Sequence, residues 1–92
     1  MANRNTFDKD PDADLDFQIN WAAWLATSET ISDSEWIADE GITTHDDSYT
    51  NTTSTVWLSG GDVSHSYIVT CRITTNQGRV DDRSLTINVR GR

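Results

Sequence analysis

The side chains able to do covalent chemistry are few and poorly spaced for it. The chain has one cysteine, Cys71, and two histidines, His45 and His65. A thiolate nucleophile needs a histidine and an electropositive setting beside it. His65 precedes Cys71 by six residues on the same face of an extended run, which separates them by about 20 Å. A single cysteine also excludes an internal disulfide, and Cys71 reads as a small buried hydrophobe. No serine sits in a Gly-x-Ser-x-Gly elbow, because Ser59-Gly60-Gly61 lacks the preceding glycine. Two histidines and one cysteine are too few for a tetrahedral zinc site without carboxylates. Gly60 and Gly61 have no Lys-Ser or Lys-Thr behind them, so no phosphate loop is present. A glycosidase pair needs two of the fifteen acids to converge across a cleft, which so short a chain rarely offers. These patterns point away from an enzyme and from a cofactor.

Two further features invite a binding reading. Asp8, Asp10, Asp12, Asp14 and Asp16 form an alternating ladder. A calcium loop of the EF-hand type needs glycine at its sixth position and glutamate at its twelfth. Counted from Asp8, those positions hold Ala13 and Ile19, so the ladder reads as a solvated strand face and its lead-in, and no metal ligands are assigned. The four tryptophans, Trp21, Trp24, Trp36 and Trp57, admit three roles: core, protein interface or sugar platform. Trp57 is opposite in parity to Val56 and Leu58. If it points outward, it is a candidate interface anchor.

The elements that must position these residues are strands. The clearest is a hairpin from about Val63 to Val89. Val63, His65, Tyr67, Val69, Cys71, Ile73 and Thr75 alternate with a second set of side chains, the period of a strand with unlike faces. Asn76-Gln77-Gly78 supplies the turn, and Leu85, Ile87 and Val89 alternate on the return. Leu15, Phe17, Ile19 and Trp21 alternate with polar residues in a first strand. Pro11 belongs before it or at its start, or on a sheet edge. Trp21 to Leu25 fits either a helical turn or a bend, and Thr27 to Glu29 reads as a loop. Thr30 to Ala38 reads as a strand with Ser34, Trp36 and Ala38 on one face and Ile31 and Ile37 on the other. Ile42 to Thr44 is a short strand, His45 to Asn51 a polar loop, and Thr52 to Ser59 a β-branched strand. The expected core is Leu15, Phe17, Ile19, Trp21, Tyr67, Val69, Cys71, Ile73, Leu85, Ile87 and Val89.

Five or six short strands without a long helix predict an all-β fold: one small antiparallel β-sandwich over residues 7–92, after a loose tail over residues 1–6. Tyr67 and Cys71 on one long strand, followed by a glycine turn and an apolar last strand, resemble the closing hairpin of an immunoglobulin-like domain, although the tyrosine stands four residues before the cysteine rather than two and there is no second cysteine. Ninety-two residues at 35% hydrophobic content give a thin core. The net charge of -8 disfavours nucleic acid as a partner. Residues 1–47 hold twelve acids and two bases, residues 48–92 three acids and five bases, so the halves carry about -10 and +2. That split is either a solvated acidic face or a surface that docks on something basic, another copy included. No run is apolar enough for a signal peptide or a membrane span, and synthesis in a cytoplasm without membrane association is expected.

An ordered set of short pieces resembles a family of small tailed-bacteriophage virion proteins, the fiber–tail adaptors. The pieces are Lys9-Asp10-Pro11-Asp12-Ala13 with Leu15-Asp16-Phe17; Trp21 with Trp24-Leu25; Ile31 with Trp36; Val56-Trp57-Leu58-Ser59-Gly60-Gly61; and Ile73-Thr74-Thr75, Gly78-Arg79 and Asp81-Asp82-Arg83-Ser84-Leu85. The resemblance implies a non-enzymatic structural protein of the virion. It would join tail, neck, portal or fiber components, and copies of itself, by protein–protein contacts. Trp24, Trp57, Arg79, Asp81, Asp82 and Arg83 are the expected contact residues. The other roles considered are a capsid decoration protein and, in a different class, a carbohydrate-binding module for host attachment.

Overall fold

A computed structural model describes residues 6–91. Seven strands follow in order: β1 (Thr6–Lys9), β2 (Leu15–Asn20), β3 (Ile31–Ala38), β4 (Ile42–Tyr49), β5 (Thr53–Gly60), β6 (Ser66–Thr75) and β7 (Val80–Val89). They form two sheets, a four-stranded one in the order β1-β7-β6-β3 and a three-stranded one in the order β2-β5-β4. Every pairing is antiparallel except β1 with β7, which is parallel. The predicted all-β sandwich is therefore the fold. The neighbours β2-β5-β4 and β7-β6-β3 follow the B-E-D and G-F-C order of immunoglobulin-type sandwiches, with β1 added at the β7 edge.

The alternation read in the sequence sets the core. Phe17 and Ile19 of β2, Val56 and Leu58 of β5, Tyr67, Val69, Cys71 and Ile73 of β6, and Leu85, Ile87 and Val89 of β7 are buried between the sheets, with Trp21 just beyond β2. Leu15, expected among them, is 40% exposed. It pairs with buried Leu58, so it faces the right side. It is, however, the first residue of an edge strand, where cover from neighbours runs out. Cys71 is a fully buried free thiol whose pKa burial pushes up.

Other expectations are corrected. Thr6, assigned to the loose tail, opens β1, and residues 1–5 of that tail lie outside the described residues. The polar stretch after Thr44 continues as β4 to Tyr49, with a register shift between His45 and Ser48. That bulge erases the alternation that would have announced a strand. A second shift, between Ile31 and Asp33, turns Ile31 into the core while Ile37 stays outside, although the two are six residues apart. The long hairpin starts three residues later than predicted. Val63 and His65 are exposed and precede β6. Trp21 to Leu25 forms a turn in which the Trp24 and Leu25 amides donate to the Trp21 carbonyl at 2.9 and 3.1 Å. Pro11 lies before β2 as expected, in the turn that follows β1, closed by the Ala13 amide donating to the Asp10 carbonyl at 3.0 Å.

Two details lock one end of the sandwich. The Lys9 side chain is buried, and its Nζ donates to the Gly60 and Asp10 carbonyls at 2.8 and 3.0 Å. Tyr67 points its hydroxyl at the connection between β5 and β6, where it accepts from the Asp62 amide at 2.8 Å. Gly61 makes this corner possible. Its φ is +93°, and an added Cβ would lie 2.7 Å from Val89 Cγ2 and 3.4 Å from the Tyr67 ring. Gly78, at φ +83°, has open space around it. Both substitutions to alanine incur the backbone penalty, on the order of 1–3 kcal/mol. Gly61→Ala adds a packing clash and is expected to destabilise clearly more than Gly78→Ala, as read by urea unfolding of the two variants.

Candidate interaction surface

The six expected contact residues do not form one patch. Trp24, Arg79 and Arg83 gather at one end of the sandwich. The Arg79 guanidinium lies 4.1 Å from the Trp24 ring centre, and the Arg83 guanidinium lies 4.5 Å from that of Trp21. Trp21 and Trp24 pack edge to face at 5.7 Å. Arg83 also donates to the Asn20 carbonyl at 3.4 Å. Arg79 donates from Nε and Nη2 to the buried Glu29 carboxylate at 2.9 and 2.6 Å, which ties the hairpin turn to the β2–β3 connection. Sequence reasoning placed Glu29 in a plain loop and missed this partner. The two residues are fifty positions apart, and only an acid within a stretch otherwise free of charge hinted at it.

Asp82 points out of the four-stranded sheet and forms a bidentate pair with Arg72, at 2.8 and 3.0 Å. Asp81 accepts from the Asp82 amide at 2.9 Å. The charges of the Arg79–Arg83 stretch thus bind several different partners rather than one another. The Arg79 and Arg72 side chains remain about half exposed.

Trp57 stands apart, on the outer face of the three-stranded sheet, and is 38% exposed. Its β5 neighbours Val56 and Leu58 are buried. The register sets Trp57 between Asp16 of β2 and His45 of β4. The His45 ring lies 6.4 Å from the indole. His45 Nε2 lies 2.8 Å from Asp14 and Nδ1 lies 3.0 Å from Asp46. The histidine therefore reaches from β4 across the sheet to the lead-in of β2, beside the tryptophan.

Hydrogen bonds to Asp14 and Asp46 raise the His45 pKa above its ordinary 6.5. A raised folded pKa stabilises the fold fully below 6.5 and loses that effect as pH climbs through the folded value. His45→Gln is expected to flatten this part of the stability profile, as read by thermal melts of both proteins from about pH 5 to 9.

The acidic and basic halves of the sequence do not become two faces, because each sheet mixes strands from both halves. A different division appears. β2, β4 and β5 contain no lysine or arginine, whereas every described base lies on β1, β6, β7 or a segment adjoining them. The aspartate ladder disperses: Asp14 binds His45, Asp8 binds Arg90 at 3.0 Å, and Asp10 accepts from the Asp12 amide at 2.9 Å. Among the described residues no three His, Cys, Asp or Glu side chains form a metal-binding group. No helix among them is long and apolar enough to cross a membrane.

This geometry offers sheet faces and loop ends as surfaces for contact. A family model for podophage GP4 fiber-tail adaptor protein gp77 matches residues 9–88, from the last residue of β1 to the penultimate residue of β7. The chain belongs to this family. No curated protein matches it. The gp77-type adaptor family is one of phage structural proteins, in agreement with the earlier resemblance.

Proposed function

We propose that this chain is a structural adaptor of a podophage virion that joins tail or neck components to fibers through protein–protein contacts. The family match over residues 9–88 carries the reading. The fold supports it, because both sheets present an outer face with exposed apolar side chains. Trp57 lies on the three-stranded side, and Ile37 and Ile68 lie on the four-stranded side. A body with two such faces is suited to bridging two neighbours. Assembly takes place in the bacterial cytoplasm, and the finished protein resides in the particle.

The test is a phage lacking this gene, with particles imaged by electron microscopy. Tails without fibers are expected. Particles with a full set of fibers would overturn the reading. Exposure of Trp57 beside Asp16 and Gln18 also favours a second reading, a sugar platform for host attachment. Normal fibers together with lost adsorption would support that one instead.

A further inference from the structure

We infer that the outer face of the three-stranded sheet, centred on Trp57, docks an arginine- or lysine-bearing surface of a different protein, not another copy of this chain. The inference rests on the adaptor reading and names the partner chemistry for one of its faces. Charge and shape carry it. Trp57 is exposed in the middle of the face, with Asp16 beside it on β2 and His45 beside it on β4. Asp14 and Asp46 add carboxylates at the two ring nitrogens of His45. The three strands supply no lysine or arginine, so only His45, when protonated, offsets them. An aromatic ring attracts a cation over its face, and carboxylates hold a guanidinium at their edges.

The chain already uses this chemistry internally. Trp24 and Trp21 each carry a guanidinium, from Arg79 and Arg83, at 4.1 and 4.5 Å. Among the described residues no guanidinium lies over Trp57. That ring is the exposed counterpart of an arrangement completed elsewhere from within.

The choice of a foreign partner follows from where the bases are spent. Lys9 is buried on two carbonyls. Arg72 pairs with Asp82, Arg79 with Glu29 and Arg90 with Asp8. Arg83 lies over Trp21 and donates to Asn20. Each described cation is engaged within its own chain, so the described residues of a second copy offer no base that is not already held. A neighbour with uncommitted arginines does.

The probe is a tetra-arginine peptide, titrated at low salt into the full chain and followed by amide and indole NMR signals. The largest shifts are expected at the Trp57 indole and at the amides of Asp16 and His45, and they should shrink with added salt. Trp57→Ala removes an exposed ring and is expected to weaken binding about fivefold. Asp16→Asn, which preserves the strand, should weaken it as well. Sedimentation at low salt should show a monomer.

Shifts concentrated on the four-stranded sheet would overturn the inference, as would unchanged binding by Trp57→Ala. A Trp57 response to neutral oligosaccharide but not to tetra-arginine would also overturn it, as would a salt-sensitive oligomer dispersed by Trp57→Ala. The gene deletion separates the two levels. Fiberless particles with a failed titration retire this inference alone. Fully fibered particles with a successful titration retire the adaptor reading and leave the cation-binding face.

Discussion

Trp21→Ala is expected to cost about 3–5 kcal/mol, and to lower Tm by more than about 12 °C. A domain of this length has roughly 5–14 kcal/mol in total, so the variant should lose a large part of its stability. Trp21 is the largest side chain that is fully buried, and it closes one end of the sandwich beyond β2. Its removal deletes the edge-to-face partner of Trp24 and the ring beneath Arg83. The main-chain bonds would survive: its amide donates to the Thr52 carbonyl at 2.8 Å, whatever the side chain. The loss is therefore one of packing. Trp21→Phe provides the control. The buried indole Nε1 has no hydrogen-bond partner among the described residues, so phenylalanine strands no acceptor and keeps an aromatic surface for Trp24 and Arg83. It should retain most of the stability. Urea unfolding followed by circular dichroism measures both. A phenylalanine variant as unstable as alanine would mean that the indole nitrogen has a role in holding the fold.

The strands that could be read from sequence are those whose two faces differ in polarity. β2, β5, β6 and β7 bury one set of alternate side chains and show water the other, so period two survives in the residue types. β4 could not be read that way. Only Ile42 is buried in it, and the bulge after His45 breaks the register. β1 was hidden for a different reason. It is four residues long, and its inward residues are Phe7 and a lysine. A buried lysine contradicts composition rules, and here it is made tolerable by the Gly60 and Asp10 carbonyls. Val63 shows the converse error, since its parity continued an alternation that the backbone had not yet begun. Ser64 takes φ +69° inside the turn that precedes β6.

Contact sites were less legible than strands because they depend on which distant residues meet. Arg79 was expected as a contact residue for a partner, and its fork is spent on Glu29 of its own chain. Trp57 could be placed on a face by parity, but only the register shows that this face holds Asp16 and His45. The charge split between the halves of the sequence was real and still misleading, since the sandwich interleaves the two halves. What remains is a finer division between one sheet without bases and another whose bases are already paired.

Glu29→Gln is expected to lower stability at neutral pH and to remove much of the acid sensitivity of the wild-type fold. Four hydrogen bonds converge on the Glu29 carboxylate. Arg79 gives two, the Thr75 hydroxyl donates to Oε2 at 2.6 Å, and the Ala26 amide donates to Oε1 at 2.9 Å. The Arg79 bonds foremost, then Thr75 and Ala26, pull its pKa from an ordinary 4.5 down to about 2. The sign follows from where protons bind. Between those two values the unfolded chain takes up a proton that the folded chain refuses, so stability rises with pH there. The contribution is whole above 4.5 and is lost as pH falls through about 2. Glutamine has no proton to bind, so the stability-against-pH curve of the variant should be shallower by up to one proton over this window. The two curves should approach each other at the acid end, where wild-type Glu29 is itself neutral. Urea midpoints measured from neutral pH to about pH 2 give both curves. Parallel curves would show that another carboxylate controls acid unfolding. Arg79→Lys completes the argument, because lysine supplies charge without the planar fork or the stacking on Trp24. It should fall short of wild type at neutral pH, with the acid-dependent slope reduced but present, since a cation still faces the carboxylate.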